Sequence, residues 1–100
     1  MDIEKIKIFL TVVEEGSLYA AAKKLDYTTS GISRSVSALE EETGLQLILR
    51  GKKGISVTKD AQDLLPIMKE LVYQNKKYEE NFDFGFSIIH SLFRNNYRSL

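Results

Sequence analysis

Four positions at helical spacing carry the most informative chemistry in this chain. Ser30, Ser33, Arg34 and Ser37 fall at i, i+3, i+4 and i+7, so one face of a helix would carry three short hydroxyls and a single arginine. A face that is merely solvated more often carries Lys and Glu, which are stronger helix formers than serine. Short side chains let a helix axis come close to another surface, and a guanidinium adds fixed charge and five donors. Downstream, Arg50-Gly51-Lys52-Lys53-Gly54 gathers three cations among glycines. This is the chemistry of binding, not of bond making. The chain has no cysteine and one histidine, His90, which excludes a cysteine nucleophile and a thiolate zinc site. A Ser–His–Asp triad or a multi-histidine metal centre is close to excluded on the same count. Six residues separate Gly44 from Gly51 rather than four, and no Ser or Thr follows the lysines, so a P-loop is rejected. No enzyme activity, cofactor or metal is expected.

The elements that must position these residues follow from periodicity. Ile3, Ile6, Phe9, Leu10 and Val13 recur at helical spacing between Asp2 and Glu15, with Ile8 and Val12 adding a second apolar side. A helix apolar on two sides is usually sandwiched between neighbours. Gly16 is a stop signal and Ser17 an N-cap signal for a second helix over about 18–25. Ala20-Ala21-Ala22 makes that helix thin. Asp26-Tyr27-Thr28 breaks the pattern, and Thr28 or Thr29 caps the third helix, which runs to about Thr43. Its Ile32, Val36 and Leu39 share the buried face opposite the hydroxyls. Glu40-Glu41-Glu42 stand at the end of this helix, where the dipole disfavours them. Leu45, Leu47, Ile48 and Leu49, the basic tip, and alternating Ile55-Ser56-Val57-Thr58 read as a small hairpin. From about Lys59 to Glu80, Ala61, Leu64, Leu65, Met68, Leu71, Val72, Asn75 and Tyr78 approximate a 3-4 repeat suited to another helix. Pro66 inside it predicts a local kink.

The chain is 100 residues long with 43% hydrophobic and 28% charged residues, an ordinary globular composition. Lys+Arg is 14 and Asp+Glu is 14, and residues 1–58 are also balanced, with eight of each sign. Any polyanion-binding surface must therefore come from local sorting of charge, with Glu14, Glu15 and Glu40 to Glu42 turned away from it. No apolar run approaches the ~20 residues that span a bilayer, and Met1-Asp2-Ile3-Glu4-Lys5 lacks a secretory pattern, so a cytoplasmic protein is expected. Four of the five phenylalanines, Phe82, Phe84, Phe86 and Phe93, lie in the tail 81–100. Phe82, Phe84, Phe86 and Ile88 alternate as in a strand, whereas Phe86, Ile89, Phe93 and Tyr97 fit a helix.

Helix, tight turn, helix with a polar face and basic hairpin together make a winged helix-turn-helix plan. The fold expected is mainly α: a three-helix core with a two-stranded β wing over 1–58, then a long linker or dimerisation helix over 59–80. The residues go further. Ile3-x-x-Ile6-x-x-Phe9-x-x-Val12, Glu14-Glu15-Gly16-Ser17, Ala21-Ala22-x-x-Leu25, Ile32-Ser33-Arg34-x-Val36-x-x-Leu39-Glu40-Glu41-x-x-Gly44-x-x-Leu47 and Val57-Thr58 closely resemble the N-terminal DNA-binding domain of LysR-type transcriptional regulators. The resemblance covers about residues 1–80, without gaps.

That resemblance implies a regulator that binds double-stranded DNA as a homodimer, with the third helix in the major groove. By position, Thr29, Ser30, Ser33 and Arg34 are its base-reading candidates, with Ser37 at the margin. Arg50, Lys52 and Lys53 serve the wing, and Ser17 and Thr28 offer capped helix starts to phosphates. Ala61, Leu64, Leu65, Met68, Leu71, Val72 and Tyr78 form the two-chain seam. Joining two readers this way predicts an approximately palindromic site. The family often carries Gln and Pro where this chain has Thr29 and Ser30, and Gln can read adenine bidentately where Thr cannot. The family also continues into a two-lobed effector-binding domain. The tail 81–100 is read either as the start of such a domain, with Phe86-Ser87-Ile88-Ile89 as its first strand, or as the end of a short chain. No small-molecule effector is expected to bind residues 1–100. The competing reading is a protein-interaction module that dimerises with full-length relatives and does not itself bind DNA.

Overall fold

In a computed structural model, the structure describes residues 2–97, with the side chains of residues 2–79. Four helices and one hairpin follow in order: α1 (Ile3–Glu15), α2 (Leu18–Leu25), α3 (Thr29–Thr43), β1 (Ile48–Gly51), β2 (Gly54–Val57) and α4 (Lys59–Tyr97). Helix starts are set by side-chain caps, each satisfying a backbone N–H that has no partner within the helix. Asp2 accepts from the Glu4 N–H, Ser17 from Ala20, Thr28 from Gly31 and Thr58 from Ala61, at 3.0–3.2 Å. Gly16 and Gly44 close α1 and α3 in the left-handed conformation. Asp26 does the same for α2 at φ 59°, a conformation that Asp tolerates better than most residues.

α1 is the central post, packed on α2, α3 and α4 at once. That arrangement is why it is apolar on more than one side. Ile6, Ile8, Phe9 and Val12 are all buried, and Phe9 and Val12 have no exposed surface at all. Burying a side chain of that size contributes roughly 1.5–3 kcal/mol. Ala21 and Ala22 let α2 approach α1 and α3 closely. Ile32, Val36 and Leu39 turn the apolar face of α3 into this core.

The wing is a two-stranded antiparallel hairpin in the register Ile48↔Val57, Leu49↔Ser56, Arg50↔Ile55 and Gly51↔Gly54. Only Lys52 and Lys53 form its turn, so Arg50 and Gly51, expected in the tip, belong to β1. The reason lies in strand alternation: Ile48 is buried, so Arg50, two residues on, lies on that same face of the hairpin. Two anchors hold the wing to the helices. The Glu40 carboxylate accepts the Leu47 N–H at 2.7 Å and the Ile48 N–H at 3.3 Å. Thr58 donates its hydroxyl to the Gln46 carbonyl at 2.6 Å while capping α4.

α4 runs past Glu80 to Tyr97, so the backbone over 81–97 is helical, and the strand reading of Phe82 to Ile88 is not adopted. Pro66 lies well inside α4, where its missing N–H leaves the Gln62 carbonyl without a helical donor.

Gly54 is the tightest point of the wing. Its φ is +114°, and a Cβ there would stand 3.2 Å from the Gly16 carbonyl oxygen. Gly54→Ala is therefore expected to cost about 1–3 kcal/mol through backbone strain and collision. Gly51→Ala, whose Cβ would have 3.9 Å to its nearest neighbour, is expected to cost less. Paired thermal melts read the difference directly, and equal melting temperatures would refute it.

Candidate nucleic-acid interface

The core fixes the rotation of α3, and the rotation decides which side chains it shows. With Ile32, Val36 and Leu39 turned inward, Thr29, Ser30, Arg34 and Ser37 are exposed and Ser33 is half-buried at the edge of the same face. Ser30 lies 3.4 Å from the Thr28 hydroxyl, beside the N-cap. Arg34 makes no ion pair or hydrogen bond with any described residue. A long cation flanked by short hydroxyls is thus presented to solvent.

Arg50 is held where the alternation of β1 puts it, over α3. Its Nη2 donates to Ser33 Oγ at 2.6 Å, a charge-assisted bond between wing and helix. Lys52 and Lys53 are exposed at the hairpin turn. The close approach of Gly54 to Gly16 sets that turn beside the junction of α1 and α2, where Ser17 caps α2. α3, the wing and the start of α2 therefore come together as one region, joined by the Ser33–Arg50 bond and the Gly54–Gly16 contact.

Three of the acids near this region have partners within the chain. Glu40 is consumed by the two backbone N–H groups of the wing base. Glu42 accepts from Lys5 Nζ at 2.6 Å, and this carboxylate holds the Lys5 ammonium protonated above the ordinary lysine range. Glu14 pairs with Lys24 at 3.5 Å. Sequence patterning treated Glu40 to Glu42 as an unfavourable end to α3. Two of the three instead serve as acceptors for groups that only the tertiary fold brings near. No local sequence rule predicts the contact of Glu40 with Leu47, seven positions on.

The expected dimerisation seam divides into two. Ala61 is completely covered and Met68 nearly so, both within their own chain's core against α1. They have no surface left for a partner, which corrects their assignment to a two-chain contact. Leu64, Leu65 and Val72 are half-buried beside that core. Leu71 is 47% exposed and Tyr78 67%, and Ile67, which periodicity missed, is 57% exposed. Ile67, Leu71 and Tyr78 stand at i, i+4 and i+11, one stripe displaced from the core-facing one. Leu10 and Val13 of α1, with Glu14 and Lys69, line a shallow groove of about 340 Å³ between α1 and α4. Among the described residues no cluster of His, Asp or Glu is placed to hold a metal ion, and no helix is long and apolar enough to cross a membrane.

Three helices around an apolar core, the third with a polar outer face, and a basic wing define a winged helix-turn-helix domain. Residues 3–62 match the bacterial regulatory helix-turn-helix protein, lysR family, and the chain belongs to that family. It is 33% identical over 87 residues to a probable HTH-type transcriptional regulator, LrrA, of Synechococcus elongatus, covering 85% of this chain and 30% of that one. It is 34% identical over 76 residues to the HTH-type transcriptional regulator CzcR of Bacillus cereus, covering 76% of this chain and 24% of that one. The chain thus spans under a third of the length of these relatives. Among solved structures, the CbnR DNA-binding domain in complex with DNA superposes with a TM-score of 0.80 at 27% identity, over 85% of this chain and 98% of that one. The BenM DNA-binding domain bound to catB site 1 DNA gives 0.78 at 29% identity, over 83% of this chain and 93% of that one.

Arg34 and Glu40 should separate binding from folding. Arg34→Ala is expected to leave stability within about 0.5 kcal/mol of the parent, as for an ordinary surface change. Glu40→Ala is expected to cost about 1–3 kcal/mol, because it strips the acceptor from two N–H groups at the wing base. Denaturant unfolding of the two variants checks both.

Proposed function

We propose that this chain is the DNA-binding and dimerisation segment, residues 1–58 and 59–80, of a cytoplasmic transcriptional regulator, and that it reads double-stranded DNA through α3. The observation that carries this reading is the exposed, partner-free Arg34 set among Ser30, Ser33 and Ser37 on a helix whose other face is locked into the core. A major groove about 12 Å wide admits an α-helix, and short side chains let the helix sink into it. Thr29, Ser30, Ser33 and Arg34 face the base edges, with Ser37 at the rim. Arg50, Lys52 and Lys53 and the capped starts of α2 and α3 at Ser17 and Thr28 engage phosphates, which fixes register. That the similar CbnR and BenM domains were solved in complex with DNA supports DNA as the partner here.

One such module falls short of the roughly 10⁻⁸–10⁻¹¹ M affinity typical of specific sites. Two copies joined through α4 supply a second reader and an approximately palindromic site. The stripe of Ile67, Leu71 and Tyr78, with Leu64, Leu65 and Val72 at its edge, supplies the apolar surface for that pairing. The net charge of zero means that little affinity comes from charge alone, so sequence-independent binding is weak.

Titration of labelled duplex at several salt concentrations tests the reading. Binding should weaken steadily as salt rises, because each neutralised phosphate releases counterions. Arg34→Ala should lose about 1–3 kcal/mol of specific binding. No binding at low salt, or affinity indifferent to salt, would overturn the reading. The pairing has its own check by sedimentation: the double variant Ile67→Asp/Leu71→Asp should sediment as a monomer at concentrations where the parent is a dimer. A parent already monomeric would remove the basis for a palindromic site.

A further inference from the structure

We infer that Ser33 and Arg50 form a single hydrogen-bond-donating unit, and that the base edge it selects is the N7/O6 edge of guanine. The inference rests on the DNA-binding reading above and specifies what that surface takes. A serine hydroxyl is ordinarily ambivalent, with one hydrogen to donate and two lone pairs to accept. Here the Arg50 guanidinium occupies a lone pair of Ser33 Oγ at 2.6 Å. The hydroxyl hydrogen is turned away from that positive group, and no described residue accepts it. An incoming donor would also meet the adjacent guanidinium charge, whereas an incoming acceptor is attracted by it. Ser33 is therefore preset as a donor.

The neighbouring groups share this polarity. Arg34, next along the helix, has donors only. The major-groove edge of guanine offers two adjacent acceptors, N7 and O6. Adenine places an N6 donor beside its N7, cytosine presents the N4 donor, and thymine offers one acceptor beside a methyl group. A patch of adjacent donors fits guanine and meets a like-signed group on adenine or cytosine. Thr29 adds nothing for adenine, because it lacks the paired donor and acceptor of a terminal amide. In this scheme Ser33 is a specificity-determining residue and Arg50 a positioning residue that acts through it.

The experiment starts by selecting duplexes from a random pool with the parent chain. Each guanine of the selected half-site is then replaced singly by 7-deazaguanine, which keeps base pairing but removes the N7 acceptor. Affinities are read by fluorescence anisotropy at fixed salt. One guanine is expected at which the parent loses about fivefold to tenfold, within the range of a direct base contact. That loss should shrink below about twofold in Ser33→Ala and in Arg50→Gln, and it should persist in Ser33→Thr, which keeps the hydroxyl. Circular dichroism melts establish that each variant is folded. Selected half-sites without guanine, or 7-deaza losses equal in parent and Ser33→Ala, would overturn the inference while leaving DNA binding intact. Persistence of the loss in Arg50→Gln would overturn the positioning role of Arg50. Failure to select any duplex would instead strike at the DNA-binding reading itself, and this inference would fall with it.

Discussion

The burial of Ile32, Val36 and Leu39 against α1 and α2 is the constraint on which the molecule depends. These three side chains have almost no exposed surface. Turning α3 about its axis would take them out of the core and bring serines in, losing several kcal/mol of burial and stranding hydroxyls. The rotation is therefore locked, and with it the outward placement of Ser30, Arg34 and Ser37. The serines lower helix propensity, and Ser30 and Ser37 stay exposed, so the packing of the opposite face is what keeps α3 helical.

The wing is coupled to that same helix from two sides. At its base, Glu40 reaches from the last turns of α3 to the Leu47 and Ile48 N–H groups. Further out, Arg50 reaches back to Ser33. A carboxylate and a guanidinium thus tie hairpin to helix, and both arise because the chain reverses between Gly44 and Leu47. Charge sorting follows from these ties. A segment with equal numbers of acids and bases presents a basic wing and an unpaired arginine because Glu40 is taken up by the N–H groups of the wing base and Glu42 is paired with Lys5 on the surface.

α4 serves two surfaces. Ala61 and Met68 complete the core around α1, while Ile67 and Leu71 stand outside it. A 3-4 repeat cannot by itself separate these roles, since positions about 80–100° apart on a helix both read as apolar. What separates them is which side of α4 lies on α1. This is why Ala61 and Met68 moved from the expected two-chain seam to the core, and why Ile67 emerged as the exposed member.

The residues alone determined the approximate limits of α1, α2 and α3, the cap at Ser17, the inward face of α3 and the family likeness. All of these depend on neighbours within four residues or on ordered spacing along the chain. Only the tertiary structure decided that Glu40 clasps the wing, that Arg50 lies in a strand bonded to Ser33, and how the apolar positions of α4 divide. It also settled a helical backbone over 81–97, where two periodicities fitted equally well. The physical reason is range. Capping and amphipathicity are local energies written in adjacent residues, whereas a contact across seven, seventeen or more positions exists only after the core has brought the elements together.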